Sequence, residues 1–184
     1  HSCYQYSKLA DSLVGDSHNE GGYFRVYKRD GVTYLALEKL PTILKVDEKN
    51  WKLLPVTICG SVHHTSSSIK GWAGKSAAYQ WNDANGDGMP QQAEVTFYES
   101  AIPNSWEPHI VADLSCFTMS ESQGKRQVRK FGVTRWNDVG APIYGTMPHG
   151  DMFSDCPTRF HPQHFADTRW SVFMHQDQKS GRLY

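Results

Sequence analysis

The feature that most restricts the fold of this sequence is a succession of short apolar runs, rich in aromatic and β-branched residues and interrupted by Gly, Pro, Asn and Asp. Runs of this kind favour β-strands, and the residues between them favour tight turns. Asp30-Gly31 gives the strongest hairpin signal. Four successive runs predict a β-meander, at residues 23–27, 32–37, 42–46 and 53–59. The sequence therefore predicts an all-β fold.

The strand pattern resumes later in the chain. Further strands are predicted at residues 95–98, 109–119, 127–133 and 142–144, the last after a turn at 137–140. Residues 146–165, rich in His and Pro, are predicted to be irregular, because Pro148, Pro157 and Pro162 interrupt strand pairing. A final hairpin is predicted from residues 170–175 and 182–184.

This pattern divides the chain into three parts. Residues 1–22 form an N-terminal segment, in which Tyr6, Leu9 and Leu13 have helical spacing and predict a short helix over residues 4–13. Residues 23–145 contain most of the predicted strands. Residues 146–184 are the irregular His-rich segment and its hairpin.

The charges of the chain balance, since 19 Lys plus Arg face 19 Asp plus Glu among 184 residues. No field of one sign would attract nucleic acid or an anionic membrane, and no apolar stretch approaches the roughly 18 residues that span a bilayer. We therefore expect no nucleic acid and no membrane span. The chain stops where a strand should begin, so the expected partners are the remainder of a larger chain or other subunits.

The four cysteines are far apart and form no Cys-x-x-Cys pair, which excludes zinc-knuckle and thioredoxin-like sites of that spacing. They are Cys3, Cys59, Cys116 and Cys156. An even count favours one or two disulfides in an oxidising compartment. Free buried thiols are the alternative.

The most specific motif lies at residues 83–94, which match the calcium-loop pattern D-x-[DN]-x-[DN]-G-x5-E at every specified position. Oxygen atoms of Asp83, Asn85 and Asp87 at loop positions 1, 3 and 5 would converge on a hard cation, and Gly88 at position 6 permits the sharp turn. Glu94 at position 12 would supply both carboxylate oxygens. The pattern therefore predicts a calcium site.

Two more ligands complete the predicted set: the main-chain carbonyl of Met89 at position 7, and Gln91 at position 9, directly or through water. Magnesium rarely fills a bidentate carboxylate position, and zinc prefers nitrogen or sulfur. The alternative is an ordinary Asx-Gly turn that binds nothing.

The surroundings of the loop differ from those of an EF-hand. Both flanks, residues 77–81 and 95–98, are rich in residues that favour strands. Pro90 lacks the N–H through which paired EF-hand loops bond to each other. We expect a single structural calcium clip, since calcium that binds only the folded state stabilises it.

The segment from Trp81 to Glu94 resembles a Trp-x-Asp-x-Asn-Gly-Asp-Gly-x-x-Gln-x-x-Glu segment of secreted bacterial β-propeller proteins, in the broad group with NHL-like and related repeats. Residues 23–60 and 128–144 are also similar to that group. The resemblance implies a partial β-propeller, or β-meander blades, in a secreted or periplasmic protein.

The nine histidines suggest a second kind of site. His161, His164 and His175 could ligate copper, iron or zinc, or a haem iron supplied by a larger assembly. His1 could chelate copper through its amine and imidazole, as in lytic polysaccharide monooxygenases. Hydrogen-bonded surface histidines are the alternative.

These patterns indicate three functions. The first is a calcium-binding β-propeller portion that serves as a scaffold or as the substrate-binding part of a larger enzyme. The second is a metalloenzyme with histidine ligands, and the third is a calcium-dependent glycan-binding module. No Gly-rich phosphate loop or Gly-x-Ser-x-Gly elbow is present, so catalytic residues are not assigned.

Overall fold

The computed structural model describes residues 5–6, 24–37, 41–62, 77–98, 109–122, 125–155 and 180. This part of the chain consists of β-strands and one short 3-10 helix, Gln92–Glu94, which confirms the all-β prediction. The strands are β1 Gln5–Tyr6, β2 Phe24–Arg29, β3 Val32–Leu37, β4 Thr42–Asp47, β5 Lys52–Val62, β6 Ala77–Asn82, β7 Val95–Tyr98, β8 His109–Ile110, β9 Cys116–Ser122, β10 Lys125–Phe131, β11 Val133–Trp136, β12 Pro142–Tyr144 and β13 Asp151–Asp155.

The main sheet is an antiparallel meander in the order β2-β3-β4-β5-β6-β7, and β1 pairs with β5 in parallel. Each strand is hydrogen-bonded to the next one in the chain; β2 to β5 are the meander that the sequence predicts, and β6 and β7 extend it. The β2–β3 turn has φ 49° at Asp30 and 77° at Gly31, the two positive values of a type I′ hairpin. Arg29 pairs with Val32 across it, so the predicted hairpin is confirmed.

Two smaller sheets accompany the meander. One has the strand order β13-β10-β9-β8, and the other is the hairpin of β11 and β12. The described strands close neither a barrel nor a ring of propeller blades. None of the described segments is a helix with the length and apolar character needed to cross a membrane.

One apolar core joins the three sheets. The main sheet contributes Ala36, Ile43 and Cys59, which are 0–3% exposed. Cys116 and Phe131 from the four-stranded sheet are 0% and 1% exposed, and they belong to the same cluster. Burial of an aliphatic or aromatic side chain of this size contributes roughly 1.5–3 kcal/mol, so the sheets stabilise one another.

The thiols of Cys59 and Cys116 are free and fully buried in this core. Desolvation raises the pKa of both, and the neighbouring Cys116 raises that of Cys59 further. Both groups therefore stay protonated near neutral pH. Cys3 and Cys156 lie outside the described residues, and the expectation of disulfides stays a prediction.

Hydrogen bonds fasten the β11–β12 hairpin to the main sheet. The side-chain amide of Gln80, on β6, accepts from Tyr144 N at 2.7 Å and donates to Tyr144 O at 3.1 Å. The hydroxyl of Thr57, on β5, donates to Pro142 O at 2.7 Å. These groups are buried, where an unpaired polar atom would cost about 1–3 kcal/mol, so the hairpin has one preferred position on the sheet.

Several predicted boundaries are wrong. The helix predicted over residues 4–13 is wrong at Gln5–Tyr6, which form a strand because they pair with the start of β5. The single strand predicted at 109–119 is divided by a turn, where Leu114 has φ 63° and its N–H donates to Val111 O at 2.8 Å. The strand predicted at 127–133 divides near Gly132 into β10 and β11.

The irregular segment predicted from residue 146 contains the strand Asp151–Asp155, so that prediction is wrong for these five residues. They pair with β10, although a register shift between Val128 and Arg129 interrupts the ladder. Pro148 lies before this strand and removes none of its N–H donors. The predicted hairpin of residues 170–175 and 182–184 lies outside the described residues.

Candidate calcium site

The predicted calcium loop connects β6 with β7, two neighbouring strands of the main sheet. Trp81 near the end of β6 is 0% exposed and anchors the loop in the core. The N–H of Asp83 donates to Val56 O at 2.9 Å, which ties the first loop residue to the adjacent β5. The prediction that strands rather than helices flank the loop is therefore confirmed.

Asp83 fixes the first half of the loop. The residue is buried, at 1% exposure, and its two carboxylate oxygens accept hydrogen bonds from Gly86 N at 2.7 Å and Gly88 N at 3.0 Å. The two glycines have φ 82° and 68°, values that favour residues without a Cβ. The sharp turn predicted at Gly88 is thus present.

Two further Asx interactions continue the turn. Asn85 Oδ1 accepts from Asp87 N at 2.9 Å, and Asp87 Oδ1 accepts from Met89 N at 2.7 Å. Gln91 Nε2 donates to Asp87 Oδ2 at 2.8 Å. Desolvation alone would raise the pKa of Asp87, but hydrogen bonds from Met89, Gln91 and Asn85 together outweigh it and lower the pKa below its ordinary value. Asp87 is therefore held as the anion that a cation requires.

Glu94 closes the loop. It ends the 3-10 helix and extends back to the start, where its Oε1 accepts from Ala84 N at 2.9 Å. Its Oε2 accepts from the indole Nε1 of Trp81 at 2.8 Å and from Gln91 N at 3.2 Å. The last acidic residue of the motif is therefore held beside the first residues of the loop.

The predicted ligands lie in one closed turn. Side chains of Asp83, Asn85, Asp87 and Glu94 accept hydrogen bonds from backbone N–H groups of residues 84–91, and the side chain of Gln91 donates to Asp87. In the described part of the chain, no three His, Cys, Asp or Glu side chains form a ready-made metal cluster. The carboxylates instead accept N–H donors of the loop.

Among the described residues, no Lys, Arg or His side chain forms an ion pair with the acidic loop. The ion pair present in the described residues joins Arg29 to Asp30, at 3.1 Å, and involves no loop residue. Asp83 is accordingly a buried carboxylate whose partners are backbone amides. Burying a charge is costly unless a counter-charge or a metal accompanies it, so this geometry suits a bound cation.

One contributor to the site was missed by sequence reasoning. Asn137 Nδ2 donates to the main-chain carbonyl of Asp83 at 2.6 Å, although 54 residues separate the two in sequence. A Cβ placed on Gly86 would lie 3.5 Å from Cγ1 of Val139, so the same turn also packs on the loop. The available signal was the repeated tripeptide Trp-Asn-Asp, at residues 81–83 and 136–138.

The predicted histidine sites lie elsewhere in the chain. His1, His161, His164 and His175 are outside the described residues, so the transition-metal prediction stays a prediction. His149 lies within the described part and is exposed.

Comparison of the chain with protein-family models, with curated proteins and with solved structures found no match. The site is therefore assigned from the geometry of the chain itself.

Proposed function

We propose that residues 83–94 bind one Ca²⁺ ion and act as a structural clip in an all-β scaffold. The observation that carries this proposal is the buried carboxylate of Asp83, which has backbone N–H partners but no basic side chain beside it among the described residues. A divalent cation bound in the loop would supply a counter-charge to this carboxylate.

The ligands would be oxygen atoms of Asp83, Asn85, Asp87, Gln91 and Glu94, with the carbonyl of Met89. Three carboxylates and neutral carbonyls suit calcium, which accepts six to eight oxygens in flexible geometry. Hydrogen bonds within the loop already hold it closed, so binding requires small side-chain rotations rather than folding of a new segment.

The clip would stabilise the junction of three elements. The loop begins after β6 and ends at β7, and its first residue, Asp83, bonds both to β5 and to Asn137 in the β11–β12 turn. An ion that binds the folded state alone adds RT ln(1 + [Ca²⁺]/Kd), about 2.7 kcal/mol at a hundredfold excess over Kd. Calcium would therefore resist separation of the hairpin from the sheet.

We also propose that this chain is part of a secreted or periplasmic β-propeller-like protein. In that protein it would serve as a scaffold or as the substrate-binding part of a larger enzyme. Support comes from the resemblance of residues 81–94 to such proteins and from the up-and-down strand order of the main sheet, which propeller blades share. Millimolar calcium outside the cytosol suits a single loop of modest affinity.

The test uses the intact chain and isosteric variants. Calcium binding is measured by calorimetry, and melting temperature is measured in millimolar calcium and in chelator. We expect the parent to bind one ion and to melt higher with calcium. Asp87→Asn and Glu94→Gln should weaken binding by about tenfold or more, because the charge of the ligands sets the affinity.

Asp138→Asn is the matched control, since it removes an exposed carboxylate from the other Trp-Asn-Asp segment. It should bind calcium as the parent does. A parent chain that gives no heat of binding and melts at one temperature in both buffers would refute the clip.

A further inference from the structure

The two Trp-Asn-Asp segments are bonded to each other reciprocally. Asn82 Nδ2, in the first segment, donates to Pro142 O of the hairpin at 2.8 Å. Asn137 Nδ2, in the second, donates to Asp83 O of the loop at 2.6 Å. The asparagine of the β6 segment thus bonds to the backbone of the hairpin, and the asparagine of the hairpin segment bonds to the backbone of the calcium loop.

The side chain of Asn137 is held from both ends. Its Oδ1 accepts from Ala141 N at 2.7 Å, while its own backbone N–H donates to Ala141 O at 3.1 Å. Gly140 N donates to Asn137 O at 3.0 Å and completes the turn. The amide group is therefore locked in the orientation that presents its N–H to Asp83.

The turn of residues 137–140 is fastened to the main sheet as well. Lys45, on β4, donates its Nζ to Val139 O at 3.2 Å, and the Val139 side chain faces Gly86. The loop therefore rests on a support that is fixed independently of the loop's own hydrogen bonds.

We propose that Asn137 is a positioning residue for the calcium loop, which sets the affinity for Ca²⁺ without touching the ion. The inference rests on the proposed calcium clip. By holding the carbonyl of Asp83, Asn137 fixes the backbone from which the first ligand projects. Partners that orient metal ligands from outside the coordination sphere typically change metal affinity by about 10–100-fold.

The experiment measures the calcium dissociation constant of the intact chain, together with the melting temperature in chelator. Asn137→Ala should raise Kd by about tenfold, near the lower end of that range. Asn137→Ser keeps a side-chain oxygen for Ala141 N but is too short to reach Asp83 O, and it should raise Kd similarly. Either variant suffices if the other does not fold.

Asn50→Ala is the matched control. Asn50 also lies in a turn, where its amide Nδ2 donates to Asp47 Oδ2 at 2.8 Å, and its position in the β4–β5 turn lies outside the calcium motif. It should leave Kd within about twofold of the parent, a difference of about 0.4 kcal/mol.

Two results would overturn the inference, and they differ. If the parent binds calcium and both Asn137 variants retain its Kd while melting lower in chelator, Asn137 is merely structural and the clip survives. If the parent binds no calcium, the clip and the inference fall together.

Discussion

The two Trp-Asn-Asp segments share three residues and differ in the chain that comes after them. Asp83 leads into an acidic loop that returns to the sheet as β7, whereas Asp138 leads through a tight turn directly into β12. Asp83 is 1% exposed, and Asp138 lies on the surface. The comparison shows that burial and the subsequent chain, rather than the tripeptide, decide whether its aspartate holds a structure together.

The tryptophans diverge in the same way. Trp81 is fully buried, and its indole N–H binds Glu94. Trp136 is partly exposed, stacks on Tyr27 with ring centroids 6.4 Å apart, and lies 4.1 Å from the guanidinium of Arg29. The buried Trp81 ring therefore bonds to the last residue of the calcium loop, whereas the Trp136 ring packs on side chains of the edge strand β2.

The largest difference should appear between Asp83→Ala and Asp138→Ala in chelator. Loss of the Asp83 carboxylate removes the acceptor of Gly86 N and of the buried Gly88 N, so the free energy of unfolding should fall by about 2–3 kcal/mol. Asp138→Ala should change it by less than about 0.5 kcal/mol. Urea unfolding of both variants measures these changes. Equal losses of unfolding free energy would contradict the distinction between the two segments.

A smaller contrast is expected between Trp81→Phe and Trp136→Phe. Trp81→Phe takes a donor from Glu94 and leaves space in the core, which should cost about 1–3 kcal/mol. Because the Trp81 indole bonds to Glu94, we expect calcium to change the tryptophan fluorescence of the parent, and Trp81→Phe should remove that change.

Trp136→Phe should cost about 1 kcal/mol through weaker ring contacts and keep the fluorescence response. A calcium response that survives in Trp81→Phe and disappears in Trp136→Phe would reverse the roles assigned to the two rings.

The smallest effect concerns Arg29, whose guanidinium covers Trp136. Arg29→Ala should lower the free energy of unfolding by about 0.5–1 kcal/mol and leave calcium affinity unchanged. Lys28→Ala, on the exposed position beside it, is the control and should have no measurable effect. A change in calcium affinity with Arg29→Ala would mean that the surface ring communicates with the loop.

Local pattern was sufficient for much of this fold. The meander, the Asp30-Gly31 turn, the strands beside the calcium motif and the glycine turn at position 88 are all set by neighbouring residues, and the structure confirms them. The interactions that failed to be predicted are long-range. The repeated Trp-Asn-Asp tripeptide marks Asn137 but does not indicate that its amide meets Asp83, because that contact depends on how the hairpin lies on the sheet.

The same reason explains the wrong boundaries. Asp151–Asp155 becomes a strand because β10 offers it an edge, although its own sequence gives a weak signal. The turn at Leu114 requires a positive φ at a leucine, which propensity disfavours and packing of a fully buried side chain compensates. The motif shows which residues of the loop are acidic. It does not show that Asp83 is buried, because that burial depends on packing of the loop on the rest of the sheet.

The amide of Gln80 has a consequence for sheet alignment. Because it bonds both main-chain groups of Tyr144, it substitutes for one peptide unit and lets a crossing hairpin attach without a continuous ladder. β6 is paired on both sides, and a slip of one residue would turn Gln80 to the opposite face. A misaligned β6 would lose both of these bonds, while the bond from Thr57 on β5 to Pro142 O would remain, so Gln80 couples the alignment of β6 to the position of the hairpin.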